Sequence, residues 1–175
     1  MRPTDIKPKT PKPKRAKTPD EALAQLMRLC ARAEKSESDA RRLMRGWGVT
    51  DAEAEKVVAR LVGERFIDDA RYAGAFVREK LRLSGWGEYK IRAALQRKGI
   101  ARETIDATLA EADRTGMGER LRTQLERKMR LTHYATRYEL KNKLIRYGLA
   151  LGYDYETVHE TVASMVADPD LCDDF

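Results

Sequence analysis

Residues 36–49 read SESDARRLMRGWGV. Ser36 offers a hydroxyl to the free N–H groups of a helix start, and Asp39 stands three residues on, the spacing of a capping box. The Gly-Trp-Gly at 46–48 then supplies a stop, because glycine accepts the left-handed backbone that ends a helix. This stretch therefore specifies one short helix with both ends marked. The same grammar returns in SGWGEYKIRAALQRKGI at 84–100, with its stop at Gly99. It returns again in THYATRYELKNKLIRYGL at 132–149, with Thr136 and Glu139 as the box and Gly148 as the stop. Met44, Leu95 and Leu144 each precede their glycine by four residues, and Val49, Ile100 and Leu149 follow directly. Downstream, Ala54/Val58, Ile105/Leu109 and Val158/Val162 align, provided the third copy carries four extra residues around ALGY at 150–153.

Helices flank each copy of this core. Leu23, Leu26, Met27 and Cys30 recur at three- and four-residue spacing before the first. Thr50 and Glu53 open the helix after it, with Ala54, Val57, Val58, Leu61 and Val62 on one face. In the second copy the flanking helices fall at 70–83 and 102–112, and in the third at 119–131 and 155–167. Strict two-residue alternation is absent, so no strand is expected. The expected fold is all-α: tandem three-helix, helix-turn-helix-like repeats. Each repeat is too small to bury a stable core alone, so three stack into an elongated, curved body. The expected division is a Lys/Pro-rich tail at 1–19, repeats at 20–64, 65–115 and 116–167, and an acidic end at 168–175. The tail has almost no large apolar residues and is expected to be disordered, either a solubilising arm or a tether to nucleic acid.

Charge is distributed by whole helices. The chain carries +7 overall, of which +6 lies in residues 1–19 and −4 in residues 168–175. Residues 20–70 are close to balanced. Residues 71–102 hold nine bases against Glu79 and Glu88, and residues 120–146 hold nine against Glu126 and Glu139. The segments after each, at 103–119 and 147–167, are net acidic. Charges that only support helices alternate in sign at three or four residues. Segregation by helix instead suits a continuous basic strip facing an extended polyanion. Trp86, Tyr89, Tyr134 and Tyr138 lie among these bases, either as core between repeats or as stacking surfaces for a nucleic-acid strand.

Few motifs carry catalytic chemistry. There is no phosphate-cradling glycine loop and no dinucleotide fingerprint. His133 and His159 are isolated, and Cys30 and Cys172 sit in no metal-ligand spacing and read as free thiols. No apolar run reaches membrane length, and no apolar stretch follows the basic start, so a cytoplasmic protein is expected. The adjacent acids Asp68 and Asp69 read as a helix start: Asp68 caps, Asp69 adds favourable charge at the positive helix end, and Ile67 with Tyr72 forms a hydrophobic staple. No catalytic residue, metal or cofactor is expected.

The succession RFIDDARYAGAFVREK, WGEYKIRAALQRKGI and SESDARRLMRGWGV resembles the RecX family of bacterial recombinase regulators across about residues 20–166. The resemblance implies all-helical three-helix repeats that bind the RecA recombinase and lie in the groove of its filament on DNA. It implies inhibition of ATP hydrolysis, strand exchange and the co-protease activity of the SOS response, hence a role in DNA repair and recombination. It also implies weak affinity for single- and double-stranded DNA, a monomer, no enzymatic activity, no small-molecule substrate and no membrane partner. On that basis Arg71, Arg78, Lys90, Arg92, Arg97 and Lys98 of the second repeat, with Arg127, Arg137, Lys141 and Lys143 of the third, are the expected filament contacts. The alternative is a free-standing DNA-binding regulator of helix-turn-helix type, for which short helices and a pI near 9.5 speak.

Overall fold

The computed structural model describes residues 15–167, and all secondary structure among them is helical. The first trio is α1 (Pro19–Cys30), α2 (Glu37–Gly46) and α3 (Asp51–Gly63). The second is α4 (Asp69–Arg82), α5 (Glu88–Arg97) and α6 (Arg102–Ala110). The third is α7 (Met117–Arg130), α8 (Arg137–Ala150) and α9 (Tyr155–Ala167). The well-packed helix pairs all lie within one trio. Buried apolar side chains fall into three clusters to match, at residues 22–67, 72–109 and 121–165. We read each cluster with its helices as one unit. The tail residues 1–14, the acidic end 168–175 and Cys172 lie outside the described residues; Cys30 is a free thiol.

Helix starts follow local chemistry, with instructive departures. α1 begins inside the stretch assigned to the tail: Thr18 and Glu21 form a complete capping box, and Pro19 sits at the first turn, where no N–H is needed. Thr50 and Glu53 form the same device at α3. At α2 only half of the expected box closes. Ser36 accepts from the Asp39 N–H, but the Asp39 carboxylate turns away to Arg42 and to Lys98 of the next unit. At α8, Thr136 accepts from the Glu139 N–H while the Glu139 carboxylate reaches one residue further back, to the Ala135 N–H. Val62, expected on the buried face of α3, is exposed near the helix end.

The largest correction concerns the third copy. Gly148 does not stop a helix; it is a buried interior residue of α8, four residues before the glycine that does. The left-handed glycines that follow α2, α5 and α8 are Gly48, Gly99 and Gly152, at φ of 79°, 74° and 91°. With Gly152 in that place, Val158 and Val162 align with Ala54/Val58 and Ile105/Leu109 without any gap. The four extra residues lie within α8, which runs 14 residues against 10 in α2 and α5. Four residues are about one helical turn, so the insertion lengthens the helix and leaves its buried face in phase. Gly148 is small because a Cβ there would stand 2.6 Å from Val158 Cγ1.

Two junctions join the units, by different means. Between the first and second, side chains cross. Asp69 Oδ1 accepts from the Glu37 N–H (3.0 Å), Arg71 Nε donates to Glu34 (2.6 Å), and Lys98 Nζ donates to Asp39 (2.7 Å). Between the second and third, main chains meet. The Gly87 N–H donates to Leu151 O (2.8 Å), and the Tyr89 N–H donates to Gly152 O (3.0 Å). A Cβ on Gly87 would sit 2.1 Å from Gly152 O, so this approach requires glycine. Gln124 of α7 adds a side-chain bond to Gly85 O (2.9 Å).

Candidate polyanion-binding surface

The adjacent aspartates divide their labour between units. Asp68 Oδ1 accepts from the Arg71 N–H at 2.9 Å and so caps its own helix, α4. Asp69 instead faces the start of α2, where its bond to Glu37 satisfies a free N–H of another helix. Burial pushes the Asp69 carboxyl up, and the Glu37 hydrogen bond only partly offsets it. Ile67 packs in the first cluster and Tyr72 in the second, so this pair bridges two cores where a single staple was expected. Among the described residues no group of three or more His, Cys, Asp or Glu is placed to hold a metal ion.

The ten expected contact residues separate into committed and uncommitted bases. Arg71 pairs with Glu34 and also reaches the carbonyls of Arg65 and Phe66, so it ties the first junction together. Lys98 pairs with the buried Asp39 and lies over the Tyr72 ring. Arg92 pairs with Asp106, and Lys143 with Glu139 at 2.7 Å while donating to His133 O. Lys90 lies 4.6 Å over the Trp86 ring. The other five, Arg78, Arg97, Arg127, Arg137 and Lys141, have no carboxylate within ion-pair distance among the described residues. Arg78, Arg97, Arg127 and Arg137 are exposed and Lys141 is half-buried.

The four aromatics split as well. Trp86 packs on the second cluster, edge-on to Phe76, and Tyr134 packs on the third. Tyr89 and Tyr138 stand in solvent, 65% and 77% exposed. Charge counting missed Arg82, Arg120 and Arg130 as individuals. Arg82, Arg120 and Arg127 line one cleft with Ser84, Thr123 and Gln124, formed where α7 passes the end of α4. The signal was available: Arg120, Thr123, Arg127 and Arg130 recur at three- and four-residue steps, out of phase with the buried Leu121, Leu125 and Met129. What such a surface can do is electrostatic: guanidiniums and hydroxyls along a line present forked donors to phosphate or carboxylate.

Comparison with known proteins gives one consistent result. A family model described as RecX, second three-helix domain, matches residues 68–109, beginning at the capping aspartate of α4. A Regulatory protein RecX from Chlorobaculum tepidum is 31% identical over 141 residues, covering 81% of this chain and 86% of that protein. Regulatory protein RecX from Clostridium botulinum Eklund 17B is 30% identical over 135 residues, covering 75% of this chain but 62% of the relative. The chain thus spans about three fifths of the length of that longer relative. A crystal structure of RecX from Lactobacillus salivarius aligns with a TM-score of 0.68 over 85% of this chain and 96% of that one, at 19% identity. A second crystal structure, of a regulatory protein RecX, gives 0.69 over 83% and 71% at 21% identity. At these identities the structural likeness is one of fold.

Proposed function

Since the chain belongs to the RecX family of regulatory proteins, we propose that it binds the RecA recombinase and its filament on DNA and restrains the filament's activities. Those activities are ATP hydrolysis, strand exchange and the co-protease function that triggers the SOS response. The observation that carries this reading is the set of uncommitted bases. Arg78, Arg97, Arg127, Arg137 and Lys141 all belong to the second and third units, and none is neutralised by a carboxylate among the described residues. Charges of this kind contribute little to folding and remain available to a partner. Spread over two tandem units, they suit a partner with repeated sites, because many weak contacts on one chain combine through effective concentration. The protein acts here as a cytoplasmic regulator by binding, without catalysis of its own.

The test is RecA ATPase on single-stranded DNA, titrated with the full chain and with the charge-reversed variant Arg78→Glu, Arg97→Glu, Arg137→Glu, Lys141→Glu. The wild-type chain lowers the ATPase rate. The variant keeps its helicity by circular dichroism and loses the inhibition. Equal inhibition by both proteins would sink the assignment of these residues, and absence of inhibition by the wild type would sink the function.

A further inference from the structure

The stretch Lys-Leu-Arg-Leu-Ser at 80–84 returns as Lys-Met-Arg-Leu-Thr at 128–132. Both copies end the first helix of a unit, α4 and α7. The structure uses the first positions alike. Leu81 and Met129 are buried, while Lys80 lies over the Trp86 ring and Lys128 over the Tyr147 ring. The second leucine has no such role. Leu83 is 83% exposed and Leu131 82%, each beside an exposed arginine. A leucine left in water forgoes the stabilisation of burial, and here it happens twice at one repeat position. The first unit lacks the pattern: in the four-residue register of its first helix, Cys30, Ala31 and Arg32 occupy these places.

Each leucine borders a basic cleft. Leu83 shares one of about 310 Å³ with Arg82, Arg120 and Arg127. Leu131 shares one with Lys128, Lys143 and Arg146. No carboxylate lines either. A further cleft at the second junction differs: Glu88 and Asp154 line it, and its bases Arg92 and Arg114 are already paired with Asp106 and Glu88. α7 links the two basic clefts. Arg120, Thr123, Arg127 and Arg130 run along its outer side over about 15 Å, at 1.5 Å of rise per residue. Arg120 is held in place by donating to Thr115 O, and its Nε is buried with no hydrogen-bond partner among the described residues. The neighbouring Asp113 accepts from the Thr115 N–H and feels both Arg82 and Arg120.

We propose that the outer edge of α7, with the leucine loops at its two ends, is a track for a single nucleic-acid strand. The arginines take successive phosphates, and Leu83 and Leu131 pack against sugars or unstacked bases. Arg120, Thr123, Arg127 and Arg130, at rises of about 4.5 to 6 Å along one line, match a polymer that carries a charge at every repeat, spaced about 3.4 Å per strand in a duplex and wider when extended. Leucine is among the apolar side chains that insert between unstacked base steps, and single strands are held by apolar contact with base faces beside a basic groove. The inference rests on the DNA half of the proposed function and gives it a place separate from Arg78, Arg97, Arg137 and Lys141.

The experiment is fluorescence anisotropy of a labelled oligo-dT strand with the full chain, over a series of salt concentrations and with no recombinase present. The triple variant R82A/R127A/R130A binds about tenfold or more weakly, and its log–log salt slope falls by roughly 2, near 0.7 for each phosphate that is no longer neutralised. L83S/L131S weakens binding with the slope unchanged. R32A/R45A/K56A, which removes the same charge from the first unit, binds like the wild type. Equal weakening by both triple variants would overturn the track in favour of net charge alone. Poly-glutamate competing as well as the oligonucleotide would overturn it in favour of an acidic protein surface. Because RecA is absent, a negative result here leaves the inhibition assay standing, and the reverse holds too.

Discussion

Asp39 is 7% exposed, yet it carries a charge at the junction of two units. Burial pushes its carboxyl up, but hydrogen bonds from Lys98 and Arg42 overcome this, and its pKa lies below the ordinary aspartate value. A depressed carboxyl contributes stability that is fully present above its unfolded value, about 3.9, and that is lost as pH falls through the folded value. Asp39→Asn is therefore expected to cost about 1–3 kcal/mol at pH 7, by leaving Lys98 without its partner. The gap from the wild type narrows as pH drops below about 4. Denaturant melts at both pH values check this, and a gap that stays constant would contradict it. Asp69 has the opposite sign. Its carboxyl is raised, so its contribution is present below the unfolded value and lost as pH rises through the folded one.

At the scale of the element, capping chemistry made four of the nine helix starts among the described residues legible. Ser36, Thr50, Asp68 and Thr136 all accept from the N–H three residues on, as their spacing predicts. The carboxylates that answer them were harder to read, because Asp39 and Asp69 bond across units and tertiary partners cannot be seen in local spacing. Gly148 misled for a related reason. A glycine near a helix end reads as a stop, but here it clears room for Val158 of the facing helix. Gly148→Ala is accordingly expected to destabilise the third unit by about 1–3 kcal/mol through overpacking. The double variant Gly148→Ala, Val158→Ala is expected to cost less than the two single changes added together, since each relieves the other's misfit. Additive melting data would show that the contact is not the reason for the glycine.

Across the whole molecule, the sequence repeat conveyed the all-helical tandem plan but not the difference between the joints. The ion pairs Arg71–Glu34 and Lys98–Asp39 hold the first, whereas main-chain hydrogen bonds at Gly87 and Gly152 hold the second. The basic surface was legible as totals per segment and less so residue by residue, because four of the ten expected contacts turn out to be paired with carboxylates inside the fold. Gly87→Ala places a methyl group against Gly152 O and is expected to open the second joint while each unit stays folded. Hydrogen exchange would report this as a loss of protection at Gly152-facing Tyr89, with the cores around Leu95 and Leu144 still protected. Full protection at Tyr89 would show that the joint tolerates the methyl group.

The two kinds of joint have unequal freedom to drift. A joint made by Arg71, Glu34, Lys98 and Asp39 depends on side-chain identity, so substitutions there alter both stability and the angle between units. The glycine joint is made chiefly of backbone, with Gln124 adding a side-chain bond, and other side chains around it can change without touching its main-chain hydrogen bonds. The second and third units, which carry Arg78, Arg97, Arg127, Arg137 and Lys141, can thus be refitted to a changing partner while the spacing between their surfaces is inherited intact.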